Sequence, residues 1–281
     1  MVPTMKEIKI NTLPCGSINV KPSDACISDR AVFQKRTKLP VNVFLIQHPE
    51  HGNILIDTGL NSLCRSFSRQ LNEIYQPEVS PNETAVSRLK ELGLRPEDID
   101  VLLLTHLDAD CTCALPDFAG RARRIVCAEL EYFYSCRAVY KKREFWPSWQ
   151  PYVSAIERIH YRSSVLGPVG RGFDLFGDDS ILCIYCPGHT DGIFSVIINQ
   201  GPSNRFKTHG DGLYGGDFVL ITSDLAFSQR NIDELSVPGS GFDRSQQLNA
   251  LKFLRELQQE PHHFATLFSH SAPLNKTIIL K

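Results

Sequence analysis

Apolar and polar positions divide the chain into short strands and a few amphipathic helices. Val101-Leu102-Leu103-Leu104 is a four-residue apolar run bounded by polar residues, the pattern of a strand buried on both faces. Similar runs occur at Ile181-Leu182-Cys183-Ile184-Tyr185 and over 193–199, 218–222 and 264–268. Two β-rich runs, 40–47 and 53–57, flank His48-Pro49-Glu50-His51-Gly52, and Pro and Gly between such runs predict a hairpin. The second run ends in Asp57-Thr58-Gly59, where Gly59 permits a sharp turn.

Helices carry their own signals. Ser80 as N-cap, Pro81 at the first helical position and Glu83 completing a capping box predict one helix start. Val86, Leu89 and Leu92 then supply an apolar face, and Gly93 suits the C-cap. This helix leads into the 101–104 strand, a βα-type alternation. A second helix, over roughly 244–258, has Leu248, Leu251, Phe253, Leu254 and Leu257 on a broad apolar side. The stretch 201–216 reads as a long surface hairpin loop. Residues 128–162 hold Tyr132, Phe133, Tyr134, Tyr140, Phe145, Trp146, Trp149 and Tyr152, and predict a helical elaboration burying aromatic faces. One or two of these aromatics are expected as the apolar wall of a site.

Composition narrows the classes. A chain of 281 residues without repeats or a long linker is expected to form a single domain over 1–281, elaborated at about 128–162. Formal net charge is −1, which gives no field for nucleic acid or an anionic membrane. No apolar stretch approaches the roughly 20 residues of a membrane span, and Met1-Val2-Pro3-Thr4-Met5-Lys6-Glu7 lacks the apolar core of a secretory signal. Nine cysteines without a repeated spacing are then expected as reduced thiols in a cytoplasmic protein.

Chemistry gathers at the strand ends. His106, Asp108, Asp110 and Cys111 lie within six residues of one another directly after the 101–104 strand. His189, Asp224 and His270 each follow another apolar run, where α/β sheets build their sites. Taken singly, each has an ordinary explanation: a structural histidine, a turn aspartate, a small buried cysteine. Taken together, seven donors at four strand ends point to a metal centre. Imidazole, carboxylate and thiolate suit Zn2+, with Mn2+ or Fe2+ also accommodated. His106 and Asp108 would serve one ion and Asp110 and Cys111 the other, with His189 and His270 completing the shells and Asp224 as bridge. Two ions about 3.5–4 Å apart would hold a hydroxide usable as a nucleophile at neutral pH.

These residues resemble the metallo-β-lactamase fold superfamily and, within it, the N-acyl homoserine lactonase-like family. That superfamily carries His-x-His-x-Asp-His after a buried strand, then a lone His, a bridging Asp and a final His. The matching stretches are His106-Leu107-Asp108-Ala109-Asp110-Cys111, Pro187-Gly188-His189-Thr190, Thr222-Ser223-Asp224 and Phe268-Ser269-His270, supported by Leu39-Pro40-Val41 and Ile54-Leu55-Ile56-Asp57-Thr58-Gly59. The resemblance spans about 10–271 and implies an α/β fold of four layers, an αββα sandwich. It gives Asp57 an orienting role by hydrogen bonding. The pattern is degenerate: its second His is Asp108, its last is Cys111, and the Tyr that lactonases place three residues after the bridging Asp is Phe227.

The resulting expectation is a zinc-dependent, quorum-quenching-type hydrolase of a small ester or lactone. One or two ions would act, with Asp110 and Asp224 as catalytic residues. Small-molecule substrate and a homodimer are the expected partners, with no nucleic acid and no membrane. The competing expectations are a non-catalytic or sensing descendant with a decayed site, marked by Cys111, and a one-iron oxygenase of the persulfide dioxygenase type.

Overall fold

Alternation within the strands sets the layering. In β4 (Val101–Leu104), Val101 and Leu103 join one apolar cluster, while Leu102 and Leu104 join another on the opposite face. The same division runs through β9 (Ile181–Tyr185), β10 (Phe194–Asn199) and β11 (Phe218–Ile221). There Ile181, Cys183, Val196, Ile198, Val219 and Ile221 face the shared cluster, and Leu182, Ile184, Ile197, Phe218 and Leu220 face outward onto helices. Strands apolar on both faces need cover on both faces. The computed structural model, described here over 7–21, 35–62, 72–73, 75–137, 149–200, 217–239, 241–273 and 276–280, supplies it as an αββα sandwich.

The first sheet has seven strands in the order β13-β1-β2-β3-β4-β5-β6. These are β1 (Ile8–Val20), β2 (Thr37–His48), β3 (Gly52–Ile56), β4, β5 (Arg124–Ala128), β6 (Ile156–Ile159) and β13 (Thr277–Leu280). The expected hairpin is present, with Phe44 opposite Ile56 and His48 opposite Gly52. The second sheet has six strands in the order β12-β11-β10-β9-β8-β7, which adds β7 (Arg162–Ser163), β8 (Arg171–Asp174) and β12 (His263–Leu267). β3, β4 and β5 run parallel to one another, as do β11 and β12. β9 and β11 both run antiparallel to β10 and so share one direction.

Helices α1 (Ala85–Glu91), α2 (Ala109–Thr112), α3 (Leu115–Phe118) and α4 (Glu129–Ser135) accompany the first sheet. Helices α5 (Gln229–Asp233) and α6 (Arg244–Leu257) accompany the second. α6 matches its expected span. Asp243 caps it by accepting from the backbone N–H groups of Ser245 (2.9 Å) and Gln246 (3.0 Å), and it buries Gln247, Ala250, Leu251, Leu254 and Leu257.

Several expectations need correction. The helix expected from Ser80 is two pieces. Glu83 Oε2 accepts from Ser80 N at 3.1 Å and closes a 3-10 turn over Pro81–Glu83. Thr84 is then extended (φ −78°, ψ 156°), and its hydroxyl recaps α1 by accepting from Ser87 N at 3.2 Å. The shorter helix buries Ala85 and Leu89 and leaves Leu92 39% exposed. Within 128–162, residues 156–159 are strand β6, paired parallel to β5, because Ile156 completes the first sheet's outer cluster. Trp149 is buried in that cluster, 5.9 Å edge-on from Tyr132, whereas Phe133 is exposed. Tyr140, Phe145 and Trp146, and the loop expected over 201–216, lie outside the described residues. Cys15, Cys111, Cys127, Cys136, Cys183 and Cys186 are free thiols, but Cys113 is disulfide-bonded. No helix among the described residues is long and apolar enough to cross a membrane.

The recapped α1 makes a clean stability test. Leu89→Ala should destabilise the protein by about 2–5 kcal/mol, because it empties a fully buried site. Leu92→Ala should stay within about 0.5 kcal/mol. Urea denaturation of both variants distinguishes this register from a longer helix that buries both leucines.

Candidate metal centre

Strand direction brings the expected donors to one rim. β3, β4, β9, β11 and β12 all end there and deliver Asp57, the 105–112 segment, His189, Asp224 and His270 respectively. After β4 the chain turns into α2, with Asp108 at its N-cap, so the crowded donors fan out around a single helical turn. Two non-glycine residues at this rim, Asp57 (φ 62°) and Ser223 (φ 55°), adopt the left-handed backbone, a strain that sharp strand-to-site turns impose.

Six of the seven donors converge as two groups that share a hub. His106, Asp108 and His189 offer ligand atoms that all lie within 4.8 Å of one another, and so do Asp110, Asp224 and His270. His189 Nε2 is 3.1 Å from Asp108 Oδ2, and His270 Nε2 is 3.2 Å from both Asp110 Oδ2 and Asp224 Oδ2. Asp224 Oδ2 also lies 3.9 Å from His106 Nε2 and 3.8 Å from His189 Nε2, so one oxygen stands near all three imidazoles. Cys111 groups with Asp110, as expected, but on the His106 side. Its sulfur lies 3.4 Å from His106 Nδ1 and groups with His106 and Asp110, whereas His270 groups with Asp110 and Asp224. A cysteine is shorter than the histidine of the resembled motif, and α2 is held independently of its side chain. Thr58 donates to the Cys111 carbonyl from both its backbone N–H (2.9 Å) and its hydroxyl (2.8 Å).

Surrounding groups orient the rings. Asp57 accepts from Thr105 N and Thr105 Oγ1, each at 2.9 Å. Having spent its proton on Asp57, the Thr105 hydroxyl can only accept from His106 Nδ1 at 3.0 Å, which leaves Nε2 to face the carboxylates. His270 Nδ1 donates to the Pro40 carbonyl at 2.9 Å, which fixes its Nε2 toward Asp110 and Asp224. Phe227 sets its ring 4.5 Å from that of His270 and 6.5 Å from that of His189.

Electrostatics mark a place for positive charge. Burial alone would push Asp224 up, yet His270, His106 and His189 hold it well below the ordinary carboxylate range. Burial would likewise lower His106 and His270. The carboxylates of Asp224, Asp108 and Asp110 override it at His106, and those of Asp224 and Asp110 at His270, so both rings sit above the ordinary imidazole value. Burial raises Asp57 to about 7 and the Cys111 thiol well above its usual value. Asp224 Oδ1 and His189 Nδ1 are buried without a hydrogen-bond partner. Three clustered carboxylates, three imidazoles and an orphaned carboxylate oxygen fit a divalent cation, because protons on His106 and His270 otherwise carry the compensating charge.

Residues 36–202, over half of the chain, match the metallo-beta-lactamase superfamily. The chain belongs to that superfamily. Among curated relatives, the N-acyl homoserine lactonase AttM of Azorhizobium caulinodans is 24% identical over 266 residues, covering 90% of each protein. An N-acyl homoserine lactonase of Bacillus cereus is 25% identical over 251 residues, 84% of this chain and 86% of the relative. A Bacillus thuringiensis AiiA variant with N-decanoyl-L-homoserine at its active site shares the fold, with a TM-score of 0.68 at 23% identity over 95% of this chain and 94% of that one. Within this metallo-beta-lactamase fold, the divalent metals are implied at the rim just described.

Two residues at the rim carry no metal-type signal in the sequence. Glu131, 1% exposed, hydrogen-bonds the loops on either side of it. Gln247 on α6 donates to the carbonyls of Asp224 (3.4 Å) and Leu225 (3.3 Å), and a Cβ on Gly188 would lie 2.3 Å from its backbone nitrogen. A glutamine on the otherwise apolar face of α6 was the one available clue to the second.

Metal uptake would displace protons from His106 and His270, so zinc affinity should fall as pH drops from about 8 to 6. The metal-free protein should behave in the opposite sense. His106 and His270, raised above the ordinary 6.5, contribute stability below that value and lose it as pH rises through their folded values. Asp224, lowered from 3.8, contributes above that value and loses its contribution only in acid. Raised Asp57 also favours the lower pH. Thermal unfolding of chelator-treated protein should therefore show Tm falling above neutrality, and zinc should restore it more strongly at each higher pH.

Proposed function

We propose that the protein is a metal-dependent hydrolase of small esters or lactones, with N-acyl homoserine lactones as the first substrates to test. Supporting this reading is the meeting of two three-donor groups at the buried Asp224 carboxylate, together with the lactonase relatives that span most of the chain. Scattered donors would suit a decayed site, and these converge.

A divalent ion such as Zn2+ on His106, Asp108 and His189, with a second on Asp110, Asp224 and His270, would supply Lewis acidity that activates water and polarises a carbonyl. The chain's own residues do the rest. Asp224, held ionised by three imidazoles, joins the two groups. Asp110 is the most open of the three acids, with 17% side-chain exposure against 7% for Asp108 and 4% for Asp224. It is the group placed to accept the proton of the attacking water and to pass it to the departing alkoxide. Phe227 presents an apolar ring edge beside His270 and has no proton to give, so protonation of the leaving group falls to Asp110 or solvent. Trp149, buried in the outer cluster, is withdrawn from any acyl-binding role.

Zinc- or manganese-loaded wild type should open N-acyl homoserine lactones or cleave aryl esters, and a chelator should abolish turnover. Asp224→Ala should lower kcat/KM by about 10²–10³-fold or more, the loss typical of removing a preorganised charge from an active site. A fully loaded protein inactive on both substrate classes would overturn the reading.

A further inference from the structure

Between the two loops that present one donor group lies a buried carboxylate with no role in binding a cation directly. Glu131 sits in the first turn of α4. Its Oε1 accepts from Leu107 N at 3.1 Å and from Ser135 Oγ at 3.5 Å. Its Oε2 accepts from Thr190 Oγ1 at 2.7 Å and Gly192 N at 3.0 Å. Leu107 stands between His106 and Asp108, and Thr190 follows His189. One side chain therefore ties together the two segments that carry His106, Asp108 and His189. The approach is close: a Cβ on Gly192 would fall 2.1 Å from the Glu131 nitrogen, so glycine is required there.

We propose that Glu131 is a positioning residue whose carboxylate holds the 106–108 and 189–192 segments at the separation that lets His106, Asp108 and His189 share one cation. The proposal rests on the reading of the rim as a metal centre. Its chemistry makes a specific demand. Each carboxylate oxygen faces a backbone N–H, and a backbone N–H can only donate. An amide has one acceptor oxygen and must turn its NH2 toward either Leu107 N or Gly192 N. Glu131→Gln keeps the shape and the packing but must break one loop contact, so it separates positioning from mere space-filling.

The experiment uses full-length wild type, Glu131→Gln, Thr190→Val, His189→Ala and the Glu131→Gln/His189→Ala double variant. Each is stripped of metal and titrated with zinc against a chromophoric chelator, with bound ions counted by elemental analysis and far-UV circular dichroism as the folding control. Glu131→Gln should keep the wild-type spectrum and weaken one zinc by about 10–100-fold, the loss expected when a group that orients metal ligands is removed. Thr190→Val, which takes away one donor to Oε2, should give a smaller loss in the same direction and serves should Glu131→Gln fail to fold. The double variant should bind no more weakly than His189→Ala alone, because both changes disable the same group. Wild-type zinc affinity in Glu131→Gln or Thr190→Val, or losses that simply add in the double variant, would overturn the proposal while leaving the metal centre standing. A wild type that takes up no zinc would remove both.

Discussion

Three clustered carboxylates, Asp108 and Asp224 buried and Asp110 half-buried, set the terms for the whole rim. Each ionised acid taken out of water costs several kcal/mol unless positive charge stands close by. Here His106, His189 and His270 converge on Asp224 Oδ2 at 3.9, 3.8 and 3.2 Å. Arginine and lysine could neutralise the acids too, but their permanent charges would compete with a cation for the same oxygens. Imidazoles can compensate reversibly: His106 and His270, both raised above the ordinary value, favour their protonated forms in the metal-free cluster and would give those protons up to a metal. The same residues can thus balance the buried charge without a cation and offer donor atoms to one.

This arrangement demands accuracy that strands supply and loops alone do not. Each donor stands within a few residues of a strand end, and the strands that carry them share direction within their sheets. The packed inter-sheet cluster, in which Val101 and Leu103 meet residues such as Cys183, Val196 and Val219, fixes the distance between the two halves of the centre. A cavity in that cluster would be felt at the rim, because close-packed interiors transmit displacement rather than absorb it. The glycine positions near the rim show how tight the outer contacts are: Gly188 leaves no space beside Gln247, and Gly192 leaves none beside Glu131.

Much of this was legible in the pattern of residues. Continuous apolar runs identified the central strands, and the donors after them marked the site, because strand-end chemistry needs both signals in sequence. Other features were hidden for physical reasons. β1 and β13 mix polar and apolar positions and gain their place by pairing with each other and, for β1, with β2, a long-range event that no local window displays. The extended Thr84 between two capping motifs splits one apparent helix, since both Ser80 and Thr84 are good caps and the chain uses both. Glu131 lacked any signal because an acid in the first turn of a helix is ordinary, and its partners arrive from segments 24 and 61 residues away.

The departures at Cys111 and Phe227 follow from the same geometry. Without its sulfur, each donor group still holds three ligand-bearing side chains, so Cys111 is not needed to complete either. Its backbone carbonyl, bound twice by Thr58, anchors α2 at that position, while its sulfur faces His106. Phe227 sets its ring 4.5 Å from that of His270 and carries no hydroxyl. On the proposed reading, the missing hydroxyl leaves the last proton to another group. On the proposed hydrolytic reading, a site that drew this proton from Asp110 or solvent would be best matched to substrates whose leaving group departs with little help, and would discriminate by leaving-group basicity before shape.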